Sequence, residues 1–284
     1  MQNDTEMLLK KITSLPSLSP VVQKIGAVIA KPNASADEIV SVLKMDPAIA
    51  GKVLRLANSA YIGIPRTVSS LQNAVVILGN RRIHSLVLAV STLSHFNQGY
   101  SLPFDAIRFW KHSITVALVC ESMARHLKRY DTMEASEVFC AGILHDLGKL
   151  VLGVYYADQI RRIYSKALKH GTPVYTNEKP ELCHMRIGAL VATQWNFPEM
   201  LIHAINLHHT PLYSDKFIKI VSMVHIADIM VHIVGLTTVP EEATPKINGE
   251  AMQVIGLSPE RLKVIATDAL ENEKQIESLF EFFS

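Results

Sequence analysis

The chain has 284 residues, 49% hydrophobic and 19% charged, which is enough apolar material for one large or two smaller cores. Its 28 basic and 26 acidic residues leave a formal charge of +2 and gather into no long block. That argues against direct nucleic-acid binding, and the small clusters Lys10-Lys11 and Arg81-Arg82 are expected on solvated helix faces. The polar, acidic start Met1-Gln2-Asn3-Asp4-Thr5-Glu6 is unlike a secretory signal, and no apolar run approaches the roughly 20 residues of a membrane span. With Cys120, Cys140 and Cys183 unpaired in apolar stretches, a reduced, soluble, cytoplasmic protein without membrane contact is expected.

The first third is predicted as a succession of short helices. Leu15-Pro16-Ser17-Leu18-Ser19-Pro20 is an irregular lead-in, with Ser19 as N-cap and Pro20 at the first position of a helix that runs to about Ala30 and stops at Pro32. Ser35-Ala36-Asp37-Glu38 has the form of a capping box ahead of Ile39, Val40, Val42 and Leu43. Asp46-Pro47 repeats the cap-then-proline signal before Ile49, Val53, Leu54 and Leu56. Asn58-Ser59-Ala60 is read as a helix end whose small polar groups bond to the backbone. Gly63 and Pro65 then break the chain, Ser69 or Ser70 caps a helix through Leu78, and Gly79 is its C-cap. The following helix carries Ile83, Leu86, Val87 and Val90. Asn97-Gln98-Gly99-Tyr100-Ser101-Leu102-Pro103 is the best junction, dividing the chain into lobes 1–100 and 101–284.

Asp46-Pro47-Ala48, Leu54-Arg55-Leu56-Ala57-Asn58-Ser59-Ala60, Val68-Ser69-Ser70-Leu71 and Ala74-Val75-Val76-Ile77-Leu78-Gly79 resemble, in order and spacing, the DP, LLRLANSA, I-SL and AI-LG blocks of HDOD proteins. HDOD stands for HD-related output domain, and the resemblance runs from about Leu15 to about Val234. It implies an all-α, two-lobed helical bundle, with an HDOD-specific N-terminal lobe and an HD-type helical core. It also implies a role in bacterial signal transduction through contacts with other proteins.

In the second lobe, Phe109-Trp110-Lys111-His112-Ser113 opens an apolar stretch through Val116, Ala117, Val119 and Met123. Glu137-Val138-Phe139-Cys140-Ala141 leads into Gly142-Ile143-Leu144-His145-Asp146-Leu147-Gly148-Lys149-Leu150, and both stretches are expected as buried helices. Lys149 follows the adjacent His145 and Asp146 by four and three residues, which on a helix is the same face. Imidazole and carboxylate are both ligands for zinc, iron or manganese, and an ammonium beside them suits a phosphate. Taken alone, the pair is better read as a structural histidine on a buried helix. The segment to Lys169 is amphipathic, with Arg161, Arg162, Lys166 and Lys169 solvated, and Gly171-Thr172-Pro173 ends it.

More candidate ligands follow. His184 precedes Gly188 by four residues, where the missing side chain lets another helix approach. His208 and His209 are adjacent, and Asp228 lies in an apolar helix where a lone carboxylate is costly unless paired or metal-bound. His112, His145, Asp146, His184, His208, His209 and Asp228 together would serve two metal ions, although one of His208 and His209 can instead donate to a carboxylate. His84, His95, His126, His170 and His203 are read as surface or satisfied core groups. His225 and His232 stand three before and four after Asp228 on one helix face. Both are assigned to structure first, with replacing a ligand or supporting one from behind as the alternative.

The seven positions also resemble the metal ligands of HD-superfamily phosphohydrolases, especially the HD-GYP branch. That resemblance implies a bridging Asp146, Lys149 steadying a phosphate, and a divalent transition metal, iron or manganese ahead of zinc or nickel. Thr210-Pro211 stands where that branch has Glu, and no Gly-Tyr-Pro follows, which argues against cyclic-dinucleotide hydrolysis. The expected function is a signalling output module that acts through protein contacts and holds a mono- or dinuclear metal centre. The alternative is a metal-dependent phosphohydrolase of a phosphomonoester or nucleotide, with Asp146 and Lys149 catalytic. No receiver or sensor domain is legible, so input is expected from a separate, unidentified signalling protein or a phosphate-containing small molecule. At the C-terminus, Ser258-Pro259-Glu260 is expected to cap a final helix with Leu262, Ile265, Ala266 and Ala269 on one face. Phe280, Phe282 and Phe283 then dock on the core or, alternatively, form a homodimer contact.

Overall fold

The computed structural model describes residues 20–29, 31, 34–64, 67–96, 101–127, 135–271 and 273–283, and among them the chain is helix and loop without a strand. The Lys10-Lys11 cluster, the Ser19 cap, the Pro32 stop, Pro65 and positions 97–100 of the junction lie outside the described residues, as do the side chains of His95, Ala269, Phe282 and Phe283. Two compact units form, the smaller of Ser17–Gly99 with Glu271–Ser284 and the larger containing Tyr100–Leu270.

The smaller unit contains α1 (Pro20–Ile29), α2 (Ala36–Leu43), α3 (Pro47–Ala57), α4 (Leu71–Leu78) and α5 (Asn80–Phe96), of which α2, α3 and α4 begin at the caps that the sequence places. Ser35 and Glu38 complete a capping box, and the Asp46 carboxylate accepts from the backbone N–H groups of Ala48 and Ile49, both at 3.1 Å. Ser70, not Ser69, caps α4 by accepting from Asn73 N–H, and Gly79 closes it at φ 78°. Asn58 fixes the return between α3 and α4: its amide donates to the Leu54 and Val68 carbonyls, and its side-chain oxygen accepts from Val68 N–H at 2.7 Å. Arg82 is not solvated as expected. It donates to the Tyr61 hydroxyl at 2.6 Å and lies over that ring.

The C-terminus differs from expectation. Ser258 does cap a helix by accepting from Arg261 N–H, but a further helix, α15 (Glu273–Phe283), follows it. This last helix buries Ile276 and Leu279 and packs on α3 and α5, so the smaller unit takes it, although the sequence assigns it to the second lobe. Phe280 is half-buried.

The larger unit is built on α6 (Ala106–Leu127), against which α7 (Ala135–Leu144) packs along most of its length. Next come α8 (Leu147–Tyr155), α9 (Ala157–His170), short 3-10 turns at Val174–Asn177 and Pro180–Leu182, α10 (His184–Gln194) and α11 (Glu199–Leu207). After a 3-10 turn at Pro211–Tyr213, α12 (Ile218–Ile233), α13 (Gly249–Ile255) and α14 (Pro259–Glu271) complete it. Twelve of the sixteen residues of α12 are buried, so most of this helix runs through the interior and must satisfy its polar side chains there. Ala135–Tyr155 is also longer and more apolar than the sequence reading allowed; at 21 residues it could cross a membrane by length and composition, but it is mostly buried here.

Glycines set how closely these helices approach. A Cβ at Gly142 of α7 would fall 2.6 Å from Ala117 Cα of α6. Where α8 meets α10, a Cβ at Gly148 would fall 1.8 Å from the His184 carbonyl oxygen, and one at Gly188 would fall 2.9 Å from Gly148 N. The contact expected at Gly188 is therefore backbone against backbone, and its other half is Gly148. Gly148→Ala should lower the unfolding free energy by about 3 kcal/mol or more, since backbone cannot yield as a side chain would. Gly249→Ala, with open space around it, should change it by less than about 0.5 kcal/mol. Urea unfolding of the two variants beside the wild type measures the difference.

Candidate metal centre

The larger unit brings all seven expected residues to one place. His112 comes from α6, His145 and Asp146 from the turn between α7 and α8, His184 from the first residue of α10, His208 and His209 from the end of α11, and Asp228 from α12. His145 and Asp146 are not mid-helix, as the spacing suggested, but occupy a break. Lys149 still reaches Asp146, its Nζ 2.7 Å from Oδ2.

The Asp146 carboxylate lies between two groups of rings. Its Oδ2 is 3.3 Å from His145 Nε2 and 3.8 Å from His112 Nε2, while its Oδ1 is 3.4 Å from His184 Nε2 and 3.8 Å from His208 Nε2. Asp228 Oδ1 is 3.2 Å from His112 Nε2 and 3.8 Å from His145 Nε2, and Oδ2 is 3.9 Å from His209 Nδ1. Three sets of donors each fall within 4.8 Å of one another: His112, His145 and Asp146; His112, Asp228 and His232; and His184, His208 and His209.

The rings are aimed from behind. Nδ1 of His145 lies 2.7 Å from the Gly142 carbonyl oxygen, Nδ1 of His112 lies 2.8 Å from that of Leu236, and Nδ1 of His208 lies 3.0 Å from that of Ile205. A carbonyl oxygen only accepts, so each Nδ1 carries a hydrogen and each neutral ring turns the lone pair of Nε2 inward. There the lone pairs meet carboxylate oxygens, or each other: His184 Nε2 and His208 Nε2 are 3.2 Å apart. His112 Nε2, His145 Nε2, Asp146 Oδ1 and Asp228 Oδ1 are buried without hydrogen-bonding geometry to any partner, and Asp146 Oδ2 faces only the Lys149 ammonium and the rings. Acceptors converging on acceptors in a dry interior are repulsive unless cations lie among them, so the donor set fits bound metal.

The electrostatics agree. Burial raises the Asp146 and Asp228 carboxyls, but the surrounding charges outweigh it and hold both well below the usual carboxylate range: His145 and Lys149 for Asp146, His232 and His112 for Asp228. Burial and neighbouring imidazoles push His208 and His209 well below the ordinary histidine value. The interior thus keeps two carboxylates ionised and His208 and His209 neutral, the forms that bind a metal. Burial lowers His145 and His232, but Asp146 and Asp228 raise them above the ordinary value, so a metal there would displace protons from these two rings.

The HDOD domain family matches residues 15–211. The chain belongs to the HDOD family. As an HDOD protein it superimposes on an HDOD domain protein of unknown function from Geobacter sulfurreducens with a TM-score of 0.81, at 21% identity, covering 99% of this chain and 97% of that one. A candidate signal transduction protein from Marinobacter aquaeolei VT8 gives 0.81 at 20% identity, covering 97% of this chain and 61% of that one. A candidate phosphohydrolase from Shewanella amazonensis SB2B gives 0.73 at 25% identity, covering 98% of both chains. The chain spans 45% of the length of a curated relative that it matches, an uncharacterised protein of Treponema pallidum (strain Nichols), and 83% of this chain is covered at 24% identity.

In this HDOD protein the two histidines flanking Asp228 have different roles. The ring nitrogens of His225 are both occupied: Nδ1 lies 2.7 Å from the His208 carbonyl oxygen and Nε2 accepts from Asn248 N–H at 3.0 Å. His232 instead turns Nε2 to Asp228 Oδ1 at 3.3 Å and joins the donors. His225 is thus tied to the backbone on both sides, while His232 faces Asp228 among the candidate donors. Three other residues escaped the sequence reading. Glu178 binds His184 from behind, Tyr175 stacks on His209 with centroids 3.9 Å apart, and the half-buried Glu242 accepts from Val174 N–H. They lie on loops and short turns, where no periodicity points to a site. His225→Ala should cost about 1–3 kcal/mol of stability yet leave metal binding intact, whereas His232→Ala should weaken metal binding. Thermal unfolding with metal titration of both variants separates these outcomes.

Proposed function

We propose that this HDOD protein is a signal-transduction module whose larger unit holds two divalent transition-metal ions. The convergence of Nε2 lone pairs on two ionised, buried carboxylates, each ring fixed from behind, carries this reading. His112, His145, Asp228 and His232 would hold one ion and His184, His208 and His209 the other, with Asp146 between them. Iron or manganese suits this mixture of imidazole and carboxylate first, zinc or nickel after them. Bound there, such ions would supply an activated water and neutralise phosphate oxygens. The smaller unit would make the contacts with signalling proteins, in the bacterial cytoplasm. Protein purified from cells supplied with iron, manganese and zinc should carry about one to two transition-metal ions per chain, and the double variant His145→Ala, Asp146→Ala should carry none. A wild type that neither retains metal nor binds added iron or manganese would refute the reading.

Lys149 favours a second reading, hydrolysis of a phosphomonoester or nucleotide. Its side chain is 8% exposed, and although burial lowers an ammonium pKa, the charges of Asp146, Glu242 and Asp228 raise it above the ordinary value. The lysine is thus a fixed cation beside the metal ligands, suited to a phosphate oxygen. Thr210-Pro211 in place of Glu argues against cyclic-di-GMP as substrate. Turnover of a panel of aryl phosphates, nucleotides and cyclic-di-GMP should show weak activity on the first two. Lys149→Met should reduce that activity roughly 10²-fold with metal content unchanged. Brisk cleavage of cyclic-di-GMP, or an unaltered rate in the variant, would overturn this assignment.

A further inference from the structure

Glu178 stands between the two short turns, at φ -72° and ψ 141°, and its side chain is 4% exposed. The hydrogen bonds described for its carboxylate all go to one residue. His184 Nδ1 lies 2.7 Å from Oε1 and 2.8 Å from Oε2, and the backbone N–H of His184 donates to Oε2 at 3.0 Å. That backbone group opens α10, where it has no partner within the helix, so a single carboxylate fixes both the helix start and the ring.

This arrangement differs from that at the other rings. His112, His145 and His208 each have Nδ1 on a neutral carbonyl oxygen, whereas His184 has Nδ1 on an anion. An anionic acceptor draws the Nδ1 proton towards itself and makes Nε2 a stronger donor. It also places a third buried carboxylate beside the half of the centre formed by His184, His208 and His209, which Asp146 reaches at 3.4 Å from His184 and Asp228 only at 3.9 Å from His209. The same segment carries Tyr175, stacked on His209 at an interplanar angle of 18°, so a single stretch of chain steadies two of the three rings.

We infer that Glu178 is a positioning residue for one of the two metal positions: it orients His184 and, through its charge, raises the affinity of the His184, His208 and His209 side over the His112, Asp228 and His232 side. This rests on the metal-binding reading above. It implies two unequal sites and a residue whose loss weakens only one. Glu178→Gln keeps the size and one acceptor oxygen but removes the charge, and Glu178→Asp keeps the charge but draws it back by one methylene.

The test is titration of metal-free protein with Co²⁺, followed by visible absorption and calorimetry, with thermal unfolding of the same samples. Wild type should bind in two phases. In Glu178→Gln one phase should weaken by about 10–100-fold while the other keeps its affinity and spectrum, and Glu178→Asp should recover part of the loss. If both phases match the wild type while only the unfolding temperature falls, Glu178 merely caps α10 and the inference is overturned. Equal weakening of both phases also overturns it, since the effect would then be general. A wild type that binds no Co²⁺ refutes the metal reading itself, a result distinct from failure of the Glu178 role.

Discussion

Two ionised carboxylates buried among imidazoles are the constraint on which the larger unit depends. An isolated buried carboxylate is expensive, and a ring of lone pairs around it does not relieve that cost. The protein invests heavily in holding this arrangement. Three rings are tied to carbonyls, one is tied to a carboxylate, and α12 carries Asp228 and His232 through the interior. The pairing of Gly148 with Gly188 belongs to the same design: only backbone contact between α8 and α10 brings His184 against a carboxylate on the preceding turn.

Charge balance explains the place of Lys149. Asp146, Asp228, Glu178 and Glu242 put several carboxylates near one another, and Lys149 supplies a cation fixed on Asp146. An ammonium is a compact point charge, whereas several ring lone pairs suit a cation that can accept them, so the lysine would complement the proposed metal and not replace it. The same placement makes Lys149 a neighbour of any anion that approaches the ions. The two proposed functions would therefore use the same site, and the difference between them would lie in whether a substrate phosphate reaches it.

The smaller unit tells a different story. The blocks through which it resembles HDOD proteins are mostly structural: Asp46 caps α3, Asn58 clamps the strand-like return at Val68, Ser70 caps α4 and Gly79 ends it. These residues make a defined helical body in which, among the described residues, no buried charge cluster comparable to that of the larger unit is found. Such a body suits recognition by shape, which is consistent with the contact role proposed for it.

Sequence alone determined the helices of the smaller unit up to α5, because caps, prolines and glycines act over three or four residues and leave local marks. It also determined the donor types of the site, because a carboxylate in an apolar helix and a His-Asp pair after an apolar run are conspicuous against their surroundings. Tertiary structure decided the rest. His225 and His232 lie on the same face of one helix, and only what packs against α12, the His208 carbonyl for one and Asp228 turned inward for the other, separates them. Glu178, Tyr175 and Glu242 act across loops whose sequences carry no period, and α15 joins α3 and α5 because buried faces pair by shape and not by order in the chain.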